Sequence, residues 1–321
     1  MRDRKKARNI LSIGLFVALV LLLALYIWEN REDMGQMLSL SWGGAAGMLA
    51  LALGSCVVNC VYHWVILQTY GLPLSLVDWM GVVSVSNAIA YVLPLRADLV
   101  FSAAYYKQVK GLSYTKSVSM AAGNIVFGVA FSLLQILAAL LGLGLLDGKW
   151  PGALWGFWAL GTGMLAAFVV LALVFPSRMP AFLRKYKLVR DVAEGFAALL
   201  RNRTMLWRLL GCMVANNGFQ LFLYMACFRA AGAPVTLYEA LFYSSLSWLV
   251  GIVAIVPGNI GIKESVMGAA TLLLGAVAQT GVAVSLLQRG ALMAIHFLMG
   301  VVFAIPVYKR FTSKSQSGIQ P

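Results

Sequence analysis

Groups that do acid–base, metal or nucleophilic chemistry are scarce in this chain. Of its 321 residues only 11 are acidic and 2 are histidine. The histidines, His63 and His296, stand far apart, so there is no HExxH and no histidine cluster. There is no Asp-rich metal motif, no Gly-x-Ser-x-Gly and no nucleotide-binding motif. These absences exclude the common metallohydrolase, serine-hydrolase and NTPase classes, and nothing calls for a cofactor or a metal. The four cysteines (Cys56, Cys60, Cys212, Cys227) sit in apolar stretches without other ligand-type residues and read as small buried side chains. Charge is scarce too, at 11% of residues against roughly 25% in soluble domains. That excludes an ordinary soluble fold. Alternating segments of about ten residues, the mark of a membrane β-barrel, are missing as well.

What is present is apolar. Hydrophobic residues make up 61% of the chain and mean hydropathy is +0.85. Several runs reach the ~20 residues that cross a bilayer. The expected fold class is an all-α polytopic membrane protein in one transmembrane domain over 1–321. It has about six full spans plus two re-entrant broken-helix hairpins, about eight to ten helical segments in all. The first apolar run, after MRDRKKARN, exceeds the roughly 7–15 residues of a signal-peptide core and ends in Tyr26-Ile27-Trp28. It reads as an uncleaved first helix. The net charge of +14 follows the positive-inside pattern. Five basic residues precede the first helix, eight (Arg178 to Arg208) flank or fill one internal loop, and Lys309, Arg310 and Lys314 follow the last helix. The partner of this charge is anionic inner-leaflet lipid, not nucleic acid. Both termini are placed in the cytoplasm, at a bacterial inner membrane.

The expected spans are 9–28, 41–68, 114–146, 152–175, 205–230 and 281–307. Residues 176–203 form a basic cytoplasmic segment whose Phe182, Leu188, Val189, Val192, Phe196 and Leu199 make one apolar helical face, an amphipathic helix on the inner leaflet. Gly43 and Gly47 form a GxxxG, read as a packing feature. Two further segments are broken by proline. One begins at Asp78, breaks at Pro94 and ends among Lys107, Lys110 and Lys116. The other begins at Glu239, breaks at Pro257 and closes near Gln279. Asp78 lies sixteen residues before Pro94 and Glu239 eighteen before Pro257. The charge bias has the first segment enter and leave from inside and the second from outside. Regions 41–146 and 205–307 are therefore expected to be inverted repeats.

Charged residues cluster at both breaks. Non-helical backbone within a membrane is tolerated only where protein buries it or a wet cavity borders it, and half-helix N-termini there point positive dipoles at anionic groups. Pro257 stops one half-helix, Gly258 and Gly261 permit unusual dihedrals, and Lys263 and Glu264 fall in the first turn of the next, near Ile262. At the other break Arg96 and Asp98 take the first turn. Arg289 lies in the last helix. A charge at the bilayer centre costs at least ~2.5–3.5 kcal/mol, so such charges are rare and usually functional. The candidate binding residues are Arg96, Asp98, Pro257, Gly258, Gly261, Lys263, Glu264 and Arg289. Charges at interfacial loops that simply meet water are the plainer alternative. His296 ranks below these residues, as a packing histidine. Asn87, Asn124, Asn216, Asn217 and Gln220 either line the cavity or only hydrogen-bond between helices, and the second is the plainer reading.

PGNIGIKE (257–264), followed by a helix with LLQRG (286–290), resembles the C-terminal signature of the flippase-like, lysylphosphatidylglycerol synthase transmembrane-region family. NAIAYVLPLRADLVFSAAYYKQVKGLSYTKSVS (87–119) resembles its other signature. The likeness covers nearly the whole chain. It departs in three places: the acid, Asp98, stands one residue early; no basic residue occupies Phe101 or Ser102; and Gly123-Asn124 replaces a Glu-Arg pair. The resemblance implies an inner-membrane protein related to the part of a lipid-aminoacylating enzyme that moves lipid between leaflets. With little after the last helix, the chain has no room for the synthase domain, so aminoacyl transfer is not expected.

Three functions follow as expectations. The first is binding and translocation of an anionic lipid, a phospholipid or a polyprenyl-phosphate-type lipid, with Arg96 and Lys263 on its phosphate. Asp98 and Glu264 would then pair with Arg96, Lys263 and Arg289 when no lipid is bound. The second is a non-catalytic partner of a lipid or glycan synthase, docked through 176–203. The third is a lipid-modifying enzyme, for which two nearby acids are the sole support.

Overall fold

The structure is a computed structural model that describes residues 41–93, 96–178, 203–252 and 257–317. The expected first helix (9–28) and nearly all of the basic segment lie outside the described residues. Among the described residues there are nine α-helices and no strand. They are α1 (Trp42–Gln68), α2 (Val82–Val92), α3 (Ala97–Lys110), α4 (Tyr114–Leu145), α5 (Gly152–Arg178), α6 (Arg203–Ala230), α7 (Leu237–Ile252), α8 (Ile262–Leu273) and α9 (Ala278–Ser317). A π-helical turn (Val77–Gly81) leads into α2, and a 3₁₀ turn (Pro257–Asn259) precedes α8. Four helices, α1, α4, α6 and α9, are long and apolar enough to cross a membrane. Helix α9 starts a few residues earlier than the apolar run suggests.

Local signals set the helix limits. Ser41 caps α1 by accepting the Gly44 N–H at 3.1 Å, and Ser113 caps α4 by accepting from Lys116 N at 3.4 Å. Gly111, left-handed at φ 72°, ends α3, where a Cβ would be strained. The acids that open the two broken segments sit in similar caps. Asp78 accepts the Ser75 N–H at 2.8 Å, and Glu239 accepts the Thr236 N–H at 2.8 Å. Asp78 is fully buried and gathers Lys110 Nζ at 2.7 Å, Arg310 Nη1 at 3.2 Å and the Tyr105 hydroxyl at 3.0 Å. Glu239 has one cation, the half-exposed Lys149, at 2.8 Å. Its carboxylate pushes the Lys149 ammonium above the usual lysine range.

Helices α1 and α6 pack on each other antiparallel, bringing Met48 to Cys227 and Ser55 to Asn216. The broken segments pack crosswise: α2 lies against α9, and α7 against α4. Glycines make these contacts close. The Phe219 ring covers Gly54, the Trp248 ring Gly128, and the Tyr238 ring Gly142. In lipid such intimate van der Waals contact replaces the hydrophobic drive between helices. Gly43 and Gly47 lie on the same face of α1 as Gly54, and a Cβ at either would meet nothing within 4 Å among the described residues. The outer faces are apolar, with Leu134, Val301 and Ile305 exposed. The cysteines are free, and Cys56, Cys60 and Cys227 are buried.

Candidate functional site

Each break is built from its own sequence. At the first, Leu93 is extended (φ −110°, ψ 139°), the conformation that a following proline imposes. Arg96 is left-handed at φ 57°, ψ 41° and starts α3. For a residue with a Cβ this conformation costs roughly 1–2 kcal/mol. The Arg96 guanidinium reaches Asp98, in the first turn, at 3.2 Å. At the second break Gly258, Asn259 and Gly261 all have positive φ, at 58°, 55° and 85°. Arg96 and Asn259 thus occupy the same place, two residues after the proline, in the same rare conformation. Asparagine tolerates that region better than other non-glycine residues, and Asn259 Nδ2 also donates to Val250 O at 3.0 Å, holding the end of α7.

The backbone of the second break is satisfied by Arg289 from α9. It donates to Gly258 O and, at 3.2 Å, to Asn259 O. It also pairs with Glu264 Oε1 at 2.6 Å. Glu264 in turn accepts the Gly261 N–H at 2.8 Å. Both charges are buried, Glu264 to 1% and Arg289 to 7% exposure. A buried pair holds when its geometry is good and its remaining valences are filled; here the break fills those of both Arg289 Nη atoms and of Glu264, and among the described residues only Arg289 Nε is left without a partner. A Cβ on Gly258 would press on Tyr91 and Arg289 at 3.2 and 3.3 Å.

The two breaks face each other across a cavity of about 250 Å³. Leu93, Arg96 and Asp98 line it from the first break, Gly258, Asn259 and Lys263 from the second, and Asn87, Tyr91, Ser247 and His296 from the helices around it. Among the described residues, three of its buried polar atoms have no hydrogen-bond partner: Arg96 Nε, Asn259 Oδ1 and His296 Nδ1. A buried polar atom without a partner costs about 1–3 kcal/mol. Lys263 has no carboxylate within ion-pair distance among the described residues. It donates to Gln288 Oε1 at 2.6 Å and lies 6.0 Å from the Tyr224 ring centre.

The structure thus places Arg96, Asp98, Gly258 and Lys263 on the cavity. Glu264, Arg289 and Gly261 stand behind its wall, tying the second break. Pro257 opens the 3₁₀ turn. His296, ranked as packing, stacks near Tyr91 at 5.7 Å and borders the cavity; its distance from both breaks in sequence hid this. Asn87 borders it too. Asn124 accepts from Tyr62 at 2.6 Å, and Asn216 and Gln220 bond Ser55, so these do link helices. Asn259 went unread although its αL tolerance was a usable signal. Among the described residues no group of three His, Cys, Asp or Glu is placed to hold a metal.

The family model described as lysylphosphatidylglycerol synthase TM region matches residues 9–300. No curated protein and no solved structure matches the chain. The chain belongs to the lysylphosphatidylglycerol synthase transmembrane-region family. It is a membrane protein related to lipid handling.

Proposed function

We propose, from membership of this family and from the cavity between the breaks, that the protein binds the phosphate-bearing headgroup of an anionic lipid and moves it between leaflets. The single observation that carries this reading is the meeting of two cations, Arg96 and Lys263, at one cavity whose polar atoms lack partners. The charge of Arg289 is already consumed by Glu264, and that of Arg96 is shared with Asp98. Lys263 has no acid within ion-pair distance among the described residues, so the described lining of the cavity carries net positive charge. Two cations and one carboxylate suit a phosphate; the acyl or isoprenoid chains stay in lipid. The protein is a transporter in this reading, not an enzyme. It sits in a bacterial inner membrane with both termini cytoplasmic, and the energy source is an ion gradient or none.

Movement across the membrane fits inverted repeats with re-entrant hairpins over 41–146 and 205–307. Three observations support that arrangement. The helix series α1–α4 and α6–α9 run in the same order of long, short, short, long. The Ser75/Asp78 and Thr236/Glu239 caps correspond. The crosswise packing of α2 on α9 and α7 on α4 is what a twofold relation between the halves produces.

The test is leaflet exchange of fluorescent anionic lipids, polyprenyl phosphates included, in proteoliposomes of the wild type, Lys263→Gln and Glu264→Gln. Wild-type exchange that both variants lose supports the reading. Absence of exchange by the wild type, across several headgroups and with an imposed proton gradient, refutes it and leaves a membrane partner of a lipid or glycan synthase.

A further inference from the structure

Among the described residues no acid lies within ion-pair distance of Lys263, and a run of four hydrogen bonds leads away from it. Lys263 Nζ donates to Gln288 Oε1 at 2.6 Å. Gln288 Nε2 donates to Gln220 Oε1 at 2.8 Å. Gln220 Nε2 donates to Ser55 Oγ at 2.7 Å. The Ser55 hydroxyl donates to Asn216 Oδ1 at 2.8 Å. The run crosses from α8 through α9 and α6 to α1 and back to α6; Gln288 and Ser55 are buried, at 1% and 4% exposure, while Lys263, Gln220 and Asn216 are partly exposed. Every donor points the same way. Each oxygen therefore faces toward the ammonium and each N–H or O–H away from it, so the dipoles add. Aligned bonds polarise one another, and in a low dielectric each is stronger than in water.

We infer that Gln288, Gln220, Ser55 and Asn216 are positioning residues that keep Lys263 charged without neutralising it, so that its charge is left for the anionic group the cavity receives. This rests on the reading of the cavity given above and deepens it. A carboxylate at the place of Gln288 would hold the ammonium as firmly, but it would cancel the charge seen by a ligand. An apolar residue there would leave the ammonium with only the distant Tyr224 ring. An amide does neither, because it offers an oxygen without a formal charge. The other charged groups around Lys263 do not compensate it. Arg289 and Glu264 neutralise each other, and Arg96 and Asp98 do so across the cavity.

Two variants separate the alternatives. Gln288→Glu keeps the shape and puts a full negative charge on Lys263. Gln220→Leu breaks the run one step behind, without touching the cavity. The first measurement is the rate at which a small neutral acylating reagent, N-hydroxysuccinimidyl acetate, modifies Lys263 at fixed pH, read by peptide mass spectrometry. Only the uncharged amine reacts. Gln220→Leu is expected to speed labelling about twofold, because it removes a neutral amide bond that strengthens the Lys263–Gln288 bond by only a fraction, and Gln288→Glu to slow it. Ser55→Ala, at the far end, should give a smaller rise in the same direction. The second measurement is the ratio of anionic to zwitterionic lipid exchange in proteoliposomes. Gln288→Glu should lower that ratio to the value of Lys263→Gln, and combining Lys263→Gln with Gln220→Leu should change it no further. Equal labelling rates in wild type, Gln288→Glu and Gln220→Leu overturn the inference, whatever the exchange assay gives. Absence of exchange by the wild type overturns the transport reading, and the labelling rates still decide what the amide run does for Lys263.

Discussion

Removing Arg289 should be less harmful when Glu264 is removed with it. Glu264 is 1% exposed and touches Arg289 at 2.6 Å. Stripping one partner from a buried pair leaves an uncompensated charge and costs about 3–5 kcal/mol. Arg289→Met does this to Glu264. It also takes the donor from the carbonyls of Gly258 and Asn259, at about 1–3 kcal/mol each. Adding Glu264→Gln to that variant removes the stranded charge. A Gln side chain still accepts the Gly261 N–H that Glu264 holds at 2.8 Å. The double variant should therefore regain about 3–5 kcal/mol relative to Arg289→Met alone, leaving mainly the loss of the two carbonyl bonds. The measurement is unfolding by SDS titration in mixed micelles of wild type, both single variants and the double. A double variant less stable than Arg289→Met would refute the reasoning. Glu264 and Arg289 would then act separately, and the second break would be held by something else.

Other outcomes follow from single positions. Gly281→Ala should destabilise by about 1–3 kcal/mol, because a Cβ there would lie 2.5 Å from Met267 O, on the backbone of α8; Gly290→Ala, on the same helix with nothing within 4 Å, should gain up to about 1 kcal/mol. Arg96→Gly relieves roughly 1–2 kcal/mol of left-handed strain, so thermal stability in detergent should rise while anionic-lipid exchange is lost. Lys149→Met should cost under about 1 kcal/mol near neutral pH, since half of the Lys149 side chain is exposed. The Lys149–Glu239 link is intact below the usual lysine range and is lost as pH rises through the raised value, so variant and wild type should converge in strong alkali. In spheroplasts, cysteines placed at the exposed Pro73 and Ser113 should resist a membrane-impermeant thiol reagent, and cysteines at the exposed Gly148 and Ala276 should react.

Much of the architecture was legible in the sequence because its causes are local. Span limits follow from apolar runs and from Ser41 and Ser113, and both breaks follow from proline with glycine or charge beside it. The family was legible because its two signatures lie at those breaks. Pairing was harder to read. Arg289 is 25 residues from Glu264 in sequence, and nothing local says that it takes that carboxylate and leaves Lys263 to an amide. His296 looked isolated because the cavity that gives it meaning forms only when α9 crosses α2. The run through Gln288, Gln220, Ser55 and Asn216 draws on three helices, and no periodicity in one of them announces it.

The crosswise packing has a consequence for how the chain is made. Helix α2 leaves the ribosome early among the described helices, and the helix it rests on, α9, is the last of them. Roughly 200 residues separate them, about 10–40 s of synthesis at ~5–20 residues per second. During that interval Asp78 can find Lys110, but Arg310 does not yet exist, and α2 has neither the Phe303 and Val307 that cover Gly81 nor the Gly300 backbone that receives Ala88. The first broken segment therefore enters the bilayer provisionally. Only the final helix fastens it, so a nascent chain arrested before α9 should remain a substrate for membrane proteases and insertion chaperones.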